Sequence, residues 1–416
     1  MTNKINIKLP NTSCTGCAAC MNVCPKNAIS LPEDEYGFIH SKINAELCIQ
    51  CHLCEKTCPA FVKTEKNAPL KIFAAVCKDK NIQKTSASGG IAYSLCQEIL
   101  QDGGVAYGCC EENYFTIRHI RVDKIEDLRL LQNSKYVQSD IGYIMRNVKK
   151  DVKDGKKVIF TGTPCQIAGL LNYLKKTYDN LFTVDVICHG VCPMTMLKDQ
   201  IDSYSIKNTK PSDIYVDFRW KTNHSAGVRL HFGLRTAIQS GRTKNIIREE
   251  NEKTNSYMNC YLTGISLRDS CLNCQYASKG RVSDITIGDF WGVGTDIPSH
   301  MSASSGTSLV IINNDKGLNA FNNIKDKFIF EEHTFNEAST HNRCLSKPWQ
   351  THPKRRLFLK LYKEKGLRYA AKKTDVRHRY ECIWLIKFCR NSKFLYHFPD
   401  FVLRALCFLR NIKPTK

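Results

Sequence analysis

The chain has 416 residues, 22 cysteines and a formal charge of +22. It is long enough for two or three domains with buried cores, and too long for the small secreted scaffolds that spend cysteines on disulfides. No uninterrupted apolar run approaches a membrane span, and the opening MTNKINIKLPNTSC lacks an apolar stretch of signal-peptide length, so the expectation is a cytoplasmic protein in a reducing compartment.

Two runs near the amino end carry the first chemistry. CTGCAACMNVCP holds Cys14, Cys17, Cys20 and Cys24, and CIQCHLCEKTCP holds Cys48, Cys51, Cys54 and Cys58. Both read C-x2-C-x2-C-x3-C-P, the spacing by which bacterial ferredoxins hold cubane iron–sulfur clusters. The short gaps let three thiolates of a run grip one [4Fe–4S] cube, while the fourth lies too far round the turn and ligates the other cube. The expected ligand sets are Cys14, Cys17, Cys20 and Cys58 for one cluster, and Cys48, Cys51, Cys54 and Cys24 for its partner. Zinc favours isolated CxxC pairs over three cysteines at successive two-residue gaps. Residues 1–65 therefore read as a 2[4Fe–4S] ferredoxin-type domain, and the protein as one that moves electrons.

A polar connector, KTEKNAP, leads to Pro69, and from Leu70 strands alternate with helices. KIFAAVC (71–77) predicts a strand. TSASGG opens a helix through IAYSLCQEIL that stops at Gly103 and Gly104, and VAYGCC (105–110) predicts a second strand. Residues 124–153 read as mostly helical, interrupted near Ser134. KKVIF (156–160), the turn TGTPCQ and the helix IAGLLNYLKK form an α/β unit, followed by the strand LFTVDVI (181–187) ending in CHG. Short strands spaced by helical stretches imply a parallel sheet. From 213 to 250 the pattern turns β-rich, with Ser240-Gly241 as a hairpin turn. DITIGDFWGVG (284–294) and SLVIINN (308–314) supply two more strands. The expected fold class is α/β (α+β), with subdomains at 70–155 and 156–335 behind the ferredoxin-type unit and a basic extension at 341–416.

Four later cysteines stand where α/β sheets place ligands, past the carboxyl ends of strands. Cys165 follows the VIF strand, Cys188 follows VDVI, and Cys271 and Cys274 form a CxxC pair that could close over the same edge. Convergence of all four would make a third cubane site. The plainer alternative leaves Cys165 and Cys188 as buried core thiols and gives the CxxC pair to zinc or to nothing. Cys192 competes with Cys188 as a ligand. Ser86, Ser88, Gly89 and Gly90 lie between a strand and a helix start, where free N–H groups and the helix dipole favour an anion; an ordinary capping turn would use the same residues. TGTPC, with Thr161 and Thr163, has the same placement and the same two readings. Lys135, His189, Arg281, Asp284 and Asp289 are candidates for gripping a substrate or a flavin ring, against duller roles as helix-end cations, surface charges and turn aspartates.

Taken in order, SASGG (86–90), SKYVQS (134–139), GTPCQIAGL (162–170), VDVICHG (184–190), CxxCQYA (271–277) and RVSDITIGDFWG (281–292) resemble the beta-subunit family of coenzyme F420 hydrogenase/dehydrogenase. The resemblance runs from about residue 70 to 315, in the form of bacterial members with a fused amino-terminal dicluster domain. It implies an iron–sulfur flavoprotein oxidoreductase, which passes electrons singly between [4Fe–4S] clusters and FAD and then as a hydride to a small-molecule or F420-like acceptor, or the reverse. On the matching positions, Cys165, Cys188, Cys271 and Cys274 would hold a third [4Fe–4S] cluster. Ser88, Gly89 and Gly90, with Ser86, Thr161 and Thr163 nearby, would face FAD, and Lys135 and the Asp284–Asp289 segment would line its pocket. Lys135, His189 and Asp289 are the catalytic candidates. Relatives often lack a cysteine at the position of Cys192. The implied partners are an electron donor or acceptor protein such as ferredoxin and a small-molecule substrate. The alternative is a non-catalytic electron-transfer subunit that feeds a partner enzyme, in keeping with relatives that resemble proteins encoded with cell-surface polysaccharide biosynthesis.

The positive charge is concentrated at the end, with twenty Lys/Arg against four Asp/Glu from His341 onward. Trp384, Phe388, Phe394, Tyr396, Phe398 and Phe401 interleave with those cations, a pattern suited to the headgroup layer of an anionic membrane and hence to peripheral membrane contact. A helical cap, apolar side inward and cations outward, is the competing expectation. No nucleic-acid recognition module is visible.

Overall fold

The computed structural model describes residues 6–376 except 114, 207–208, 211–212, 225–226, 241–242 and 252–253. Among the described residues the helices and strands of the cysteine-rich segment are α1 (Ala19–Val23) and an antiparallel ribbon of β1 (Ile29–Ser30) and β2 (Lys42–Ile43). So short a segment buries little apolar surface of its own. Cys20, Ile29 and Cys54 form its small core, while Cys17, Ala18 and Ala19 pack into the core of the body.

The further strands are β3 (Lys71–Cys77), β4 (Val105–Asn113), β5 (Thr116–Val122), β6 (Val158–Gly162), β7 (Leu181–Val186), β8 (Ile214–His224), β9 (Gly227–Ser240), β10 (Thr243–Asn251), β11 (Ile285–Asp289), β12 (Ser308–Ile312) and β13 (Phe328–Glu332). Eight strands make one mixed sheet in the order β13-β3-β12-β11-β7-β6-β4-β5, and β8, β9 and β10 make a separate antiparallel sheet. The helices are α2 (Lys80–Thr85), α3 (Ile91–Gln101), α4 (Ile144–Lys153), α5 (Pro164–Leu174), α6 (Met194–Asp202), α7 (Ser256–Leu262), α8 (Asp269–Leu272), α9 (Asp315–Ile324), α10 (Phe335–Thr340) and α11 (Arg355–Lys373).

The parallel arrangement expected from the sequence is confined to the centre, where β4, β6, β7 and β11 run together. Buried on both faces, β6 opens on the apolar run Val158, Ile159 and Phe160, and β7 is mostly apolar, with Thr183 and Asp185 buried among Leu181, Phe182 and Val184. A parallel return needs a long crossover. The connection 290–307 between β11 and β12 carries no α-helix to serve as that crossover, its helical element being the 3-10 turn Ala303–Ser305, and β12 runs back antiparallel. On one face Leu95 and Leu100 of α3 and Phe321 of α9 pack against Ile159, Val184 and Ile285. On the other, Met145 and Val148 of α4 and Ile167 and Leu170 of α5 pack against Val158 and Phe160.

Residues 124–153 are interrupted around Ser134 as expected, but the break is longer, over 132–143, and the first helical piece is 3-10. They form a 3-10 turn (Ile125–Leu131), an irregular stretch and then α4. Tertiary bonds take the place of helical ones in that stretch: Gln138 N donates to Cys192 O at 2.9 Å and Asp140 N to Ile117 O at 2.9 Å. The strand expected over 284–294 is shorter, ending at Asp289. In the β9–β10 hairpin Ser240 pairs with Thr243, while Gly241 lies outside the described residues. Residues 377–416, with Trp384, Phe388, Phe394, Tyr396, Phe398 and Phe401, also lie outside them; the described part of the basic extension ends in α11, kinked at Gly366 with φ 76°. Among the described residues no helix is long and apolar enough to cross a membrane.

Candidate functional site

Two small cavities in the amino-terminal segment are each bordered by four thiols. One is lined by Cys14, Cys17, Cys20 and Cys58, the other by Cys24, Cys48, Cys51 and Cys54. The last cysteine of each run thus faces the first three of the other, the grouping that a crossed pair of cubanes requires. Left-handed backbone positions turn each run sharply: Gly16 and Ala18 at φ 68° and 61°, Gln50 and His52 at φ 53° and 57°. Burial pushes the thiols of Cys17, Cys20 and Cys54 up and that of Cys58 to about 12. They are therefore stable as thiolates only beside cationic charge, which cluster iron supplies. Cys14 differs: burial raises it, but a hydrogen bond with His40 and the charge of Arg268 outweigh that and bring it to about 6. Among the described residues no three or more His, Cys, Asp or Glu are arranged to hold a single metal ion.

The segment docks on α5. A Cβ on Gly169 of that helix would lie 2.9 Å from Cys17 Sγ and 3.4 Å from Ala19 Cβ, so only glycine permits the approach. Arg268 is buried at the same junction. It donates from Nε to Cys14 O (2.7 Å), from Nη1 to Gln138 Oε1 (2.9 Å) and from Nη2 to Ile39 O. Arg146 grips the other side through the carbonyls of Met21, Asn22 and Cys24.

Beside Cys17 the structure brings together Cys165, Cys188, Cys271 and Cys274. Cys165 lies in the first turn of α5, fixed by a capping box between Thr163 and Gln166. Cys188 follows β7. Gly190, at φ 132°, lets this loop close on the CxxC segment, since a Cβ there would lie 2.8 Å from Leu267 Cδ1 and 3.2 Å from Cys271 Cβ. Arg281 forms a buried ion pair with Asp185 of β7 (2.8 Å) and donates to Tyr276 O (2.9 Å), tying the Cys274 segment to the strand before Cys188. Burial first, then the mutual charge of Cys271, Cys165 and Cys274, pushes the Cys188 thiol well up. Cys165 is raised by burial and by Cys271, Cys274 and Cys17 in turn, although its contact with Thr163 opposes the rise. Cys192 turns away into an apolar core, its Sγ 3.0 Å from Ser266 Oγ, and burial pushes it to about 12.

Next to these thiols, at the carboxyl edge of the large sheet, lies a cavity of about 420 Å³, within the range of cofactor and ligand pockets. Ser86, Ser88, Gly90, Lys135, Thr161, Thr163, Cys165, Cys188, His189 and Asp289 all line it. Helix α3 begins there at Gly90 (φ 95°) with no side-chain cap, so its first N–H groups have no helical partner. The Oγ atoms of Ser86 and Ser88 are buried without a hydrogen-bond partner in the protein. Polar atoms left bare beside a roomy cavity fit a bound phosphate-bearing cofactor. Lys135 Nζ is held by the carbonyls of Cys109 and Gln132. Burial pushes His119 and His189 down to about 4. Both rings are therefore neutral at pH 7, with Nε2 donating to Thr161 O (3.1 Å) and Tyr261 O (3.0 Å) respectively.

Three of the expected residues sit elsewhere. Asp284 lies at the amino end of β11, away from the edge that carries Asp289, and accepts from Thr183 N and Oγ1 at 2.7 Å each. Arg281 is the strut just described. Gly89 donates its N–H to Ser308 Oγ (2.8 Å) and is pressed against the backbone of Ala75. The cavity also takes His119, Tyr136, Arg219, Phe232 and Trp291, none of them expected. The one signal for Arg219 was a charge inside the aromatic string DFRW, which period-2 reading assigns to an outward face.

Two parts of the chain match known families. A family model for the C terminus of the coenzyme F420 hydrogenase/dehydrogenase beta subunit matches residues 155–338, and one for a 4Fe-4S dicluster domain matches residues 13–62. A ferredoxin of Methanocaldococcus jannaschii is 32% identical over 81 residues, covering 19% of this chain and 96% of that protein. A polyferredoxin-like protein of the same organism is 34% identical over 76 residues, covering 15% of this chain; the chain spans 45% of that relative's length. Among solved structures, a chain from the F420-reducing [NiFe] hydrogenase complex of Methanosarcina barkeri is similar at 17% identity and a TM-score of 0.42, over 76% of this chain and 94% of that one.

Proposed function

We propose, since the chain belongs to the coenzyme F420 hydrogenase/dehydrogenase beta-subunit family and carries a 4Fe–4S dicluster domain, that it is a FAD-dependent oxidoreductase exchanging electrons between a carrier protein and a small acceptor in the cavity. At the coarser level it is an iron–sulfur electron-transfer protein related to oxidoreductase subunits. One observation carries the finer reading: each thiol group adjoins the next. The Cys24 group, with Cys51 exposed at its rim, is followed by the Cys14 group. Cys17 of that group adjoins Cys165, and Cys165 and Cys188 border the cavity.

FAD, when bound, supplies the exchange between single electrons and a hydride that iron–sulfur clusters lack. The chain's own part is to bind and orient. Ser86, Ser88 and the amino end of α3 offer donors to a phosphate. Thr161, Thr163 and Lys135 line the remainder. Neutral His189, its Nε2 engaged by Tyr261 O, keeps Nδ1 as an acceptor, and Asp289 keeps one carboxylate oxygen without a partner; these two and Lys135 are placed to orient an acceptor or hold its proton. Cys165, Cys188, Cys271 and Cys274 are the ligands of a third [4Fe–4S] cluster, and a ferredoxin-type protein is the electron partner.

Anaerobic purification with iron, sulfide and flavin quantified per chain tests this. About twelve irons with one FAD supports it. About eight irons and no flavin would instead support an electron-transfer subunit that serves a partner enzyme.

A further inference from the structure

Arg219 reaches the cavity from the smaller sheet. It follows a bulge in the β8–β9 register between Asp217 and Arg219, and bulges re-aim the side chains beside them. Its side chain is 2% exposed. Nη1 pairs with Asp289 and lies 3.4 Å from Tyr136 Oη, while the rings of Phe232 and Trp291 flank the guanidinium at 5.9 and 5.8 Å. Nε and Nη2 have no partner in the protein, and neither does Asp289 Oδ1. Nε and Nη2 form one edge of the guanidinium plane, the two-donor fork that matches an oxyanion. Leaving such a fork buried and bare costs free energy.

Two bridges bring this pair against the turn before α3. Lys221, two residues along β8 and so on the same face, donates Nζ to Ser88 O (2.6 Å) and Gln83 O (2.7 Å). Asp289 is in register with Ser308, whose Oγ accepts from Gly89 N at 2.8 Å. The bare fork of Arg219, the partnerless hydroxyls of Ser86 and Ser88 and the uncapped start of α3 therefore share one end of the cavity.

We propose that Arg219 is the cationic jaw of an oxyanion site at this end of the cavity, taking a phosphate group side-on opposite Ser86, Ser88 and the amino end of α3. Asp289 balances the guanidinium while the site is free and competes with the phosphate for it. The inference rests on the cavity being a ligand site; it does not require that the ligand be a flavin.

The test uses the full chain with its clusters in place and flavin removed, titrated with inorganic pyrophosphate by calorimetry. Arg219→Gln should weaken binding roughly tenfold to a hundredfold, as expected for loss of a charged two-donor contact. Asp289→Asn should tighten it, a gain that a merely structural Asp289 would not give. The double variant R219Q/D289N leaves no buried charge unpaired, and its weak binding at native iron content excludes misfolding as the cause. Pyrophosphate displaced by FAD but not by riboflavin would place the phosphate on the flavin nucleotide. Pyrophosphate and FAD bound together would place it on a second, acidic ligand. A wild type that binds pyrophosphate through Arg219 but no flavin would remove the flavin reading and leave this site standing. Pyrophosphate binding unchanged in both R219Q and the double variant, or absent in the wild type, would overturn the site.

Discussion

Replacing Gly169 by alanine sets two effects of opposite sign against each other. Gly169 lies inside α5, where alanine is favoured over glycine by about 1 kcal/mol. Its Cβ, however, would stand 2.9 Å from Cys17 Sγ and 3.1 Å from Cys17 Cβ. The neighbour that must yield is a short buried side chain rather than a flexible tip, and Ala18 and Ala19 beside it are 1% and 0% exposed. Overpacking of this kind costs about 1–3 kcal/mol. Packing wins over most of that range, for an expected net loss of about 1 kcal/mol and at most about 2 kcal/mol. Its location is as diagnostic as its size. The strain falls on the Cys14, Cys17, Cys20 and Cys58 group and spares the Cys24, Cys48, Cys51 and Cys54 group. Thermal melting of anaerobically purified protein should show a lower Tm, and electron paramagnetic resonance of the reduced protein should show one cluster signal altered beside one unaltered. A variant that melts above the wild type with both signals intact would refute the contact between α5 and the first cysteine run.

Crossed ligation predicts that Cys24→Ser disturbs the cluster of the second run and Cys58→Ser that of the first; combined with Gly169→Ala, Cys58→Ser should perturb the same signal and Cys24→Ser the other, and a reversed assignment would sink the crossing. Cys188→Ser should remove about four irons per chain while Cys192→Ser keeps the wild-type iron content, and equal losses would contradict the separation of those two thiols. Stability should also fall in acid. Burial brings His119 and His189 from 6.5 to about 4, so between those values the unfolded chain binds protons that the folded chain refuses. Their contribution is complete above pH 6.5 and is lost as pH falls toward 4, by up to about 3 kcal/mol for each ring. Melting curves at intervals across that window should give a shallower slope for His119→Asn than for the wild type, and identical slopes would count against a neutral buried His119.

The parts of this protein that were legible in the sequence are those written over short distances. Cys14 to Cys24 and Cys48 to Cys58 carry their geometry in their spacing, because a cubane fixes where three thiolates in one loop must stand. The ends of β6 and β7 were legible for a related reason: a buried parallel strand is an apolar run, and whatever follows it reaches the ligand edge. Cys165 and Cys188 could be placed by that rule alone. Asp284 and Asp289 show its limit. Both belong to one strand motif, but only the carboxyl end of β11 meets the cavity. The interruption near Ser134 was legible but not its extent over 132–143, because the hydrogen bonds there go to Cys192 and Ile117, partners that local periodicity cannot announce. Arg219 was hidden more deeply, since a bulge and a second sheet carry it to the cavity.

The way the cysteine-rich segment is joined to the body bears on how electrons would cross the chain. A shuttling electron carrier would hang on a solvated linker, whereas here the chain from 59 to 67, into the connector, is bonded to the body. Asn172 Nδ2 donates to Val62 O (3.2 Å), Gln275 Nε2 to Pro59 O (3.0 Å) and Lys66 Nζ to Ser278 Oγ (3.3 Å). Asn67 and Arg281 exchange backbone hydrogen bonds at 2.8 and 2.9 Å. Arg281 is also the residue that pairs with Asp185 and holds the Cys274 segment against β7. One buried arginine thus links the end of the connector, the third thiol group and the central sheet. Docking across Gly169 and Arg268 then sets the position of Cys17 relative to Cys165 by the same packing that stabilises the body, and a change in that packing is a change in the spacing between thiol groups. On the proposed reading, transfer through this chain would accordingly be a property of one folded unit, with Cys51 exposed at its rim.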